Sequence, residues 1–153
     1  MPNITEAEVV EILADTTKRI SGDIIWESRP EYASFISFQV DIDSSPGWPL
    51  FVKGGYNPEI HKLSFAIIHQ GYGKRIYGLC LNIRHRNRNQ TRIGSPHKHR
   101  WTELDDTYAY CPDDITAPAF APVEVWTQFC AEAKLIHLGR LYPPSPSQKP
   151  LSF

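Results

Sequence analysis

Two histidines one residue apart, His97 and His99, stand in the run "PHKHRW". On an extended chain, residues i and i+2 share a face. His97, His99 and Trp101 therefore point one way, and Lys98, Arg100 and Thr102 the other. Just upstream, "RHRNRNQTRIGSP" supplies His85 and a row of arginines, so Arg84 to Trp101 holds six Arg or Lys residues and three His without an acid. An imidazole, with an unperturbed pKa of about 6.5, gives and takes protons near neutrality. A guanidinium or ammonium group stabilises charge developing on phosphorus. These are the parts needed to cleave RNA without a metal: a base for the 2′-hydroxyl, an acid for the leaving oxygen, and a cation. The expected roles are His97 and His99 as the acid–base pair, with His85 assisting. Arg84, Arg86, Arg88, Lys98 and Arg100 would hold phosphate and Trp101 would stack on a base. Neighbouring cations lower a histidine pKa, which suits a general base. Strand alternation sets a condition: Lys98 and Arg100 join the imidazoles only where the strand is bulged or lies at an edge.

The same residues serve two other chemistries. One is binding without catalysis, in an RNA-binding or protein-interaction module. Tyr108 and Tyr110 would then add stacking faces, and Asn87, Asn89 and Gln90 would read base edges. The other is a metal-dependent enzyme. "HKHRWTE", in which Glu103 follows His99 by four positions, resembles the first motif of the cupin family over these seven residues. Gly94 stands too close to His97 for that family's glycine lead-in. The later histidine it requires has a single candidate, His137, at the end of a helical pattern. The surrounding cations also oppose a dication, so no metal and no other cofactor is expected. The pair is similar as well to the His-hydrophobic-His motif of rolling-circle nucleases, but Lys98 fills the middle position and the second helix carries no Tyr nucleophile.

The segment from Arg84 to Ile115 resembles a motif of small uncharacterised bacterial proteins. That motif has a His-Arg-Asn loop (here His85, Arg86, Asn87), then Pro-His-x-His (Pro96, His97, His99), then an aromatic-Ala pair (Tyr108, Ala109). A following helix with Trp126 and Phe129 fits too. The family's acidic Asn-Pro-Asp step after the Asn is missing here. The resemblance covers roughly the second half of the chain. It implies a site at these positions and assigns no activity.

The framework that must hold these residues is legible in outline. The 153 residues fit one domain, residues 1–141, with a Pro/Ser-rich tail over 142–153. Their formal net charge of −1 means that anion binding must come from local clustering. The cysteines, Cys80, Cys111 and Cys130, are odd in number and form no CxxC, so neither a disulfide framework nor a thiolate zinc site is expected. Cys80 and Cys130 sit in apolar patterns that read as buried thiols. "MPNITEAEVVEI" lacks the pattern of a signal peptide, and no apolar run approaches about 18 residues, so the expectation is a cytoplasmic protein away from membranes. The expected partners are RNA or another phosphate-bearing ligand and, for a ribonuclease of the toxin type, an antitoxin protein.

Thr5 and Glu8 have capping-box spacing and open a helix expected to run to about residue 19. "ASFISFQVDI" alternates strictly, with Ile36, Phe38, Val40 and Ile42 on one side. "LFVKGGY", "HKLSFAIIHQ", "RIYGLCLNI" and "HKHRW" read as further strands, "DIIWES" and "TYAY" as short ones, and "GYGK" as a hairpin turn. In "RIYGLCLNI", Ile76, Gly78, Cys80 and Asn82 fall on one face. "RHRNRNQTRIGSP" reads as a loop. "PVEVWTQFCAEAKLI" is a helix with Val125, Phe129, Ala133 and Ile136 on one stripe and Gly139 as its stop. The class is α+β: a curved antiparallel sheet of five or six strands, with an N-terminal and a C-terminal helix on its apolar face. A small partly closed barrel is the alternative.

Overall fold

The computed structural model describes residues 4–29, 32–83, 85–87, 89, 92–93, 95–105 and 108–144. The elements in chain order are α1 (Glu6–Ala14), β1 (Arg19–Ile20), β2 (Glu27–Arg29), β3 (Tyr32–Ile42), β4 (Leu50–Asn57), β5 (Lys62–His69), β6 (Lys74–Leu81), β7 (His85–Arg86), β8 (Arg92–Ile93), β9 (His97–Arg100), β10 (Ala109–Tyr110), α2 (Pro122–Glu132) and β11 (Ile136–His137). Seven strands make one antiparallel sheet in the order β10-β9-β6-β5-β4-β3-β2. The sheet does not close, so the barrel alternative falls and the α+β reading stands. It is larger than the five or six strands expected. Two small pairs lie beside it, β1 parallel with β11 and β7 antiparallel with β8. The second pair corrects the reading of residues 84–96 as loop: His85 pairs with Ile93 and Arg86 with Arg92. No helix among the described residues is long and apolar enough to cross a membrane.

Local chemistry explains where each helix stops. Thr5 caps α1, accepting from the Glu8 N–H at 3.2 Å. The helix ends at Ala14 rather than near residue 19. The carboxylate of Asp15 takes the N–H of Thr17 at 2.8 Å and its hydroxyl at 2.7 Å, and this local turn competes with helix. Lys18 then reaches back, its ammonium donating to the carbonyls of Ile12 at 2.6 Å and Leu13 at 3.1 Å. At the other end of the chain, α2 stops at Glu132, well before Gly139. Lys134 adopts a left-handed conformation, φ 56°, while Leu135 N–H bonds the Cys130 carbonyl and Lys134 N–H that of Ala131. That is a Schellman ending with lysine where glycine is commoner. Ile136, expected on the buried stripe of α2, is instead half exposed in β11.

Lys18 is fully buried, and burial lowers its pKa from 10.5 to about 8 despite the Asp15 charge. Between pH 8 and 10.5 the unfolded chain holds this proton and the folded chain releases it, so folding gains stability as pH rises through that window. Relative to a Lys18→Met variant, the parent is expected to gain about 3 kcal/mol across it. Urea titrations of both proteins at several pH values measure the difference. A constant difference would exclude the effect.

The core lies between one sheet face and the two helices. Val9 and Ile12 of α1 and Val125, Trp126 and Phe129 of α2 join Ile36, Phe38, Val52, Leu63, Phe65, Ile67, Tyr77 and Leu79 of the sheet. The alternation expected for β3 and β5 is borne out. β6 is buried on both faces from Ile76 to Leu81, and Ile76, expected beside Gly78 and Cys80, joins the core where the register with β5 shifts. Across one row, Phe38 pairs with Gly54 and Gly54 with Phe65. The two rings meet over the glycine with centroids 6.1 Å apart. A Cβ at Gly54 would fall 2.2 Å from the Phe38 ring, so only glycine fits between them. Trp26 and Trp126 close on this pair from above, at 5.1 Å from Phe38 and 5.0 Å from Phe65.

Candidate metal centre

The site follows from the pairing of β6 with β9. Cys80 lies opposite His97, Leu79 opposite Lys98, Gly78 opposite His99 and Tyr77 opposite Arg100. Leu79 belongs to the helix-facing core, so Lys98 and Arg100 share that face, while Cys80, His97 and His99 share the other. That second face is open over β3 and β4, where Gln39, Asp41 and Lys53 are exposed, but closed here. His97 is 0%, His99 4% and Cys80 6% exposed. Gly78 leaves the position beside His99 without a side chain. The two imidazoles stand edge to face with ring centroids 4.8 Å apart. One ligand atom from each of Cys80, His97 and His99 lies within 4.8 Å of the others.

These donors suit a metal. Imidazole with thiolate is a ligand set of Zn²⁺ and of copper, and among the described residues no carboxylate joins the cluster to supply the hard oxygen donors that Mg²⁺ or Ca²⁺ requires. Zinc bonds of about 2.0–2.3 Å set tetrahedral donors roughly 3.5 Å apart, so small side-chain rotations close this set. Burial pushes the Cys80 thiol above its ordinary pKa, and the Arg75 charge acts against that rise. A bound metal deprotonates a coordinating thiol outright. Cys130, buried on α2, is pushed up to about 12 by burial and has no part in this cluster. Cys111 is exposed.

The other residues singled out from the sequence are dispersed. Lys98, 1% exposed, holds both Asp114 oxygens at 2.7 Å and Glu132 at 2.9 Å. Its ammonium lies 5.9 Å from the centre of the Tyr77 ring, and the Tyr77 hydroxyl donates to Glu132. Burial draws Lys98 down and Glu132 up, while the Asp114 carboxylate holds the lysine charge. Arg100 is half-buried on the same side. Trp101 is 7% exposed within the core cluster, its backbone N–H bonded to the Ile76 carbonyl. Arg84 and Arg88, and the side chains of His85 and Arg86, lie outside the described residues. Glu103 is exposed and bonds Glu6 through its N–H, and His137 bonds Trp126 and the Gly22 carbonyl. Neither reaches the histidine pair. Asn87 does not offer its amide to a ligand: that group donates to the Ala109 carbonyl at 2.8 Å and accepts from the Ala109 N–H at 2.7 Å. Tyr108 is exposed and stacks on Tyr110.

Cys80 is the member of the site that sequence reasoning missed. The signal was present in the alternation of "RIYGLCLNI", which puts Cys80 on one face with Gly78. What was lacking was the register that sets this face beside His97 and His99.

No curated protein and no solved structure matches the chain. A family model matches residues 4–135, that of a family of unknown function (DUF6978).

Proposed function

The chain belongs to this family of unknown function, and we propose that in it Cys80, His97 and His99 bind a transition metal, zinc foremost. The observation that carries this reading is the convergence of a thiol and two imidazoles, all buried, from two paired strands of the sheet. Adjacent strands hold side chains more precisely than loops do. Among the described residues the donor set stops at three, which on a tetrahedral ion leaves a position for water or a substrate oxygen. A zinc ion so held would polarise a carbonyl or phosphoryl oxygen, or lower the pKa of bound water. Of the chemistries read from the sequence this is the metal-dependent one, with Cys80 in place of Glu103.

The test is elemental analysis of untagged protein, followed by titration of the stripped protein with Co²⁺. Stoichiometric zinc, a thiolate-to-metal absorption band on adding Co²⁺, and protection of Cys80 from alkylation by Zn²⁺ are the expected results. Substoichiometric metal, no band and an unprotected Cys80 would sink the reading.

One observation favours a second reading. The 4.8 Å separation of the His97 and His99 rings is within reach of a proton relay through one water. Metal-free RNA cleavage by that pair would persist in a strong chelator and vanish in His97→Ala and His99→Ala. An antitoxin-like partner and a cytoplasmic setting belong to this second reading.

A further inference from the structure

We infer that Lys98 is a positioning residue for the metal centre: its ammonium, tied to Asp114 and Glu132 on the helix side, sets how β9 presents His97 and His99 on the other. The inference rests on the metal reading above. β9 is four residues long and lies between the eight residues of β6 and the two of β10, so it has little lateral support on its outer side. Lys98 stands between the two ligands in sequence, and its side chain leaves through the opposite face. Its two carboxylate partners come from separate parts of the chain. Asp114 lies in the segment after β10, and Glu132 is the last residue of α2. Tyr77 of β6 also bonds Glu132 and stacks on Phe129 with centroids 5.8 Å apart. One buried ammonium thus joins β9 to α2 and, through Tyr77, to the strand that carries Cys80.

Stability alone does not account for such a group. Replacing a buried ion pair with apolar residues of similar volume is often neutral or stabilising. Position 98 lies in the same sheet row as Phe65 and Leu79, where an apolar side chain would pack. What an apolar residue would not supply is a fixed point, whereas the carboxylates define one within hydrogen-bond distance.

The test compares Co²⁺ binding by the parent and by a Lys98→Met/Glu132→Gln double variant, which removes the buried cation together with the charge of its Glu132 partner, a side chain 33% exposed. The expected outcome is a thermal midpoint close to the parent's, a dissociation constant raised on the order of tenfold, as for outer partners of metal ligands, and a shifted ligand-field spectrum. A purely structural role would move the midpoint and leave the spectrum unchanged. If the parent binds Co²⁺ and the double variant gives the same constant and spectrum, the inference falls alone. If the parent binds none, the metal reading falls and takes the inference with it. Should the double variant fail to fold, Asp114→Asn, at a side chain 39% exposed, is expected to shift constant and spectrum in the same direction to a smaller degree. A parent-like Asp114→Asn would then overturn the inference.

Discussion

Replacing Cys80 with Ser is expected to raise the dissociation constant for Zn²⁺ by more than about 100-fold, since loss of an outer partner of a ligand already costs about 10–100-fold. Thiolate is the softest of the three donors, and a serine hydroxyl is a poor substitute for it on zinc. His99→Ala is expected to act in the same direction. Both changes fall on the face opposite the aromatic core, so the fold should survive them, which circular dichroism verifies. Cys111→Ser, at an exposed thiol outside the cluster, is the control and should bind as the parent does. Competition with a chromophoric chelator gives the constants. Parent-like affinity in Cys80→Ser would remove the thiol from the site.

The largest expected loss of stability comes from Phe65→Ala, about 3–5 kcal/mol. Phe65 is 1% exposed and lies within 5.0–6.4 Å, centroid to centroid, of Trp26, Phe38, Trp126 and Phe129. Truncation would empty the space over Gly54 that the Phe38 and Phe65 rings share. Glycine has no side chain to fill it, and the neighbouring strands are fixed by their ladders, so little collapse is available. Ile25→Ala, at a side chain 64% exposed, should stay within about 0.5 kcal/mol of the parent. Urea unfolding of the three proteins tests the contrast. A Phe65→Ala loss below about 1 kcal/mol would mean that the aromatic cluster is not the centre of the core.

The strands were legible where one face is buried and the other is not. Ile36, Phe38 and Ile42 alternate against Gln39 and Asp41 because the helices cover a single side of the sheet. Helix ends were less legible. Asp15 with Thr17 and the left-handed Lys134 end α1 and α2 by hydrogen-bond geometry that the apolar pattern does not carry. β1 and β11 are two residues each and pair across most of the chain, so no local period announces them. The histidine pair, by contrast, follows from period 2 alone. Its partnership with Cys80 depends on which residue of β6 faces which residue of β9, and register is a property of two strands together. Period 2 likewise separates Lys98 from the imidazoles, but its carboxylates come from α2 and the segment after β10, which no local pattern joins to β9.

An open sheet presents unpaired backbone at each end, and such edges recruit strands from other molecules. At the β10 end the side-chain amide of Asn87 takes both the N–H and the carbonyl of Ala109, as a neighbouring strand would. The amide is too short to be extended by a further strand. Pairing of a further strand is therefore obstructed at the Ala109 position, at the end of the sheet nearest His99, while the three-residue β2 forms the opposite edge.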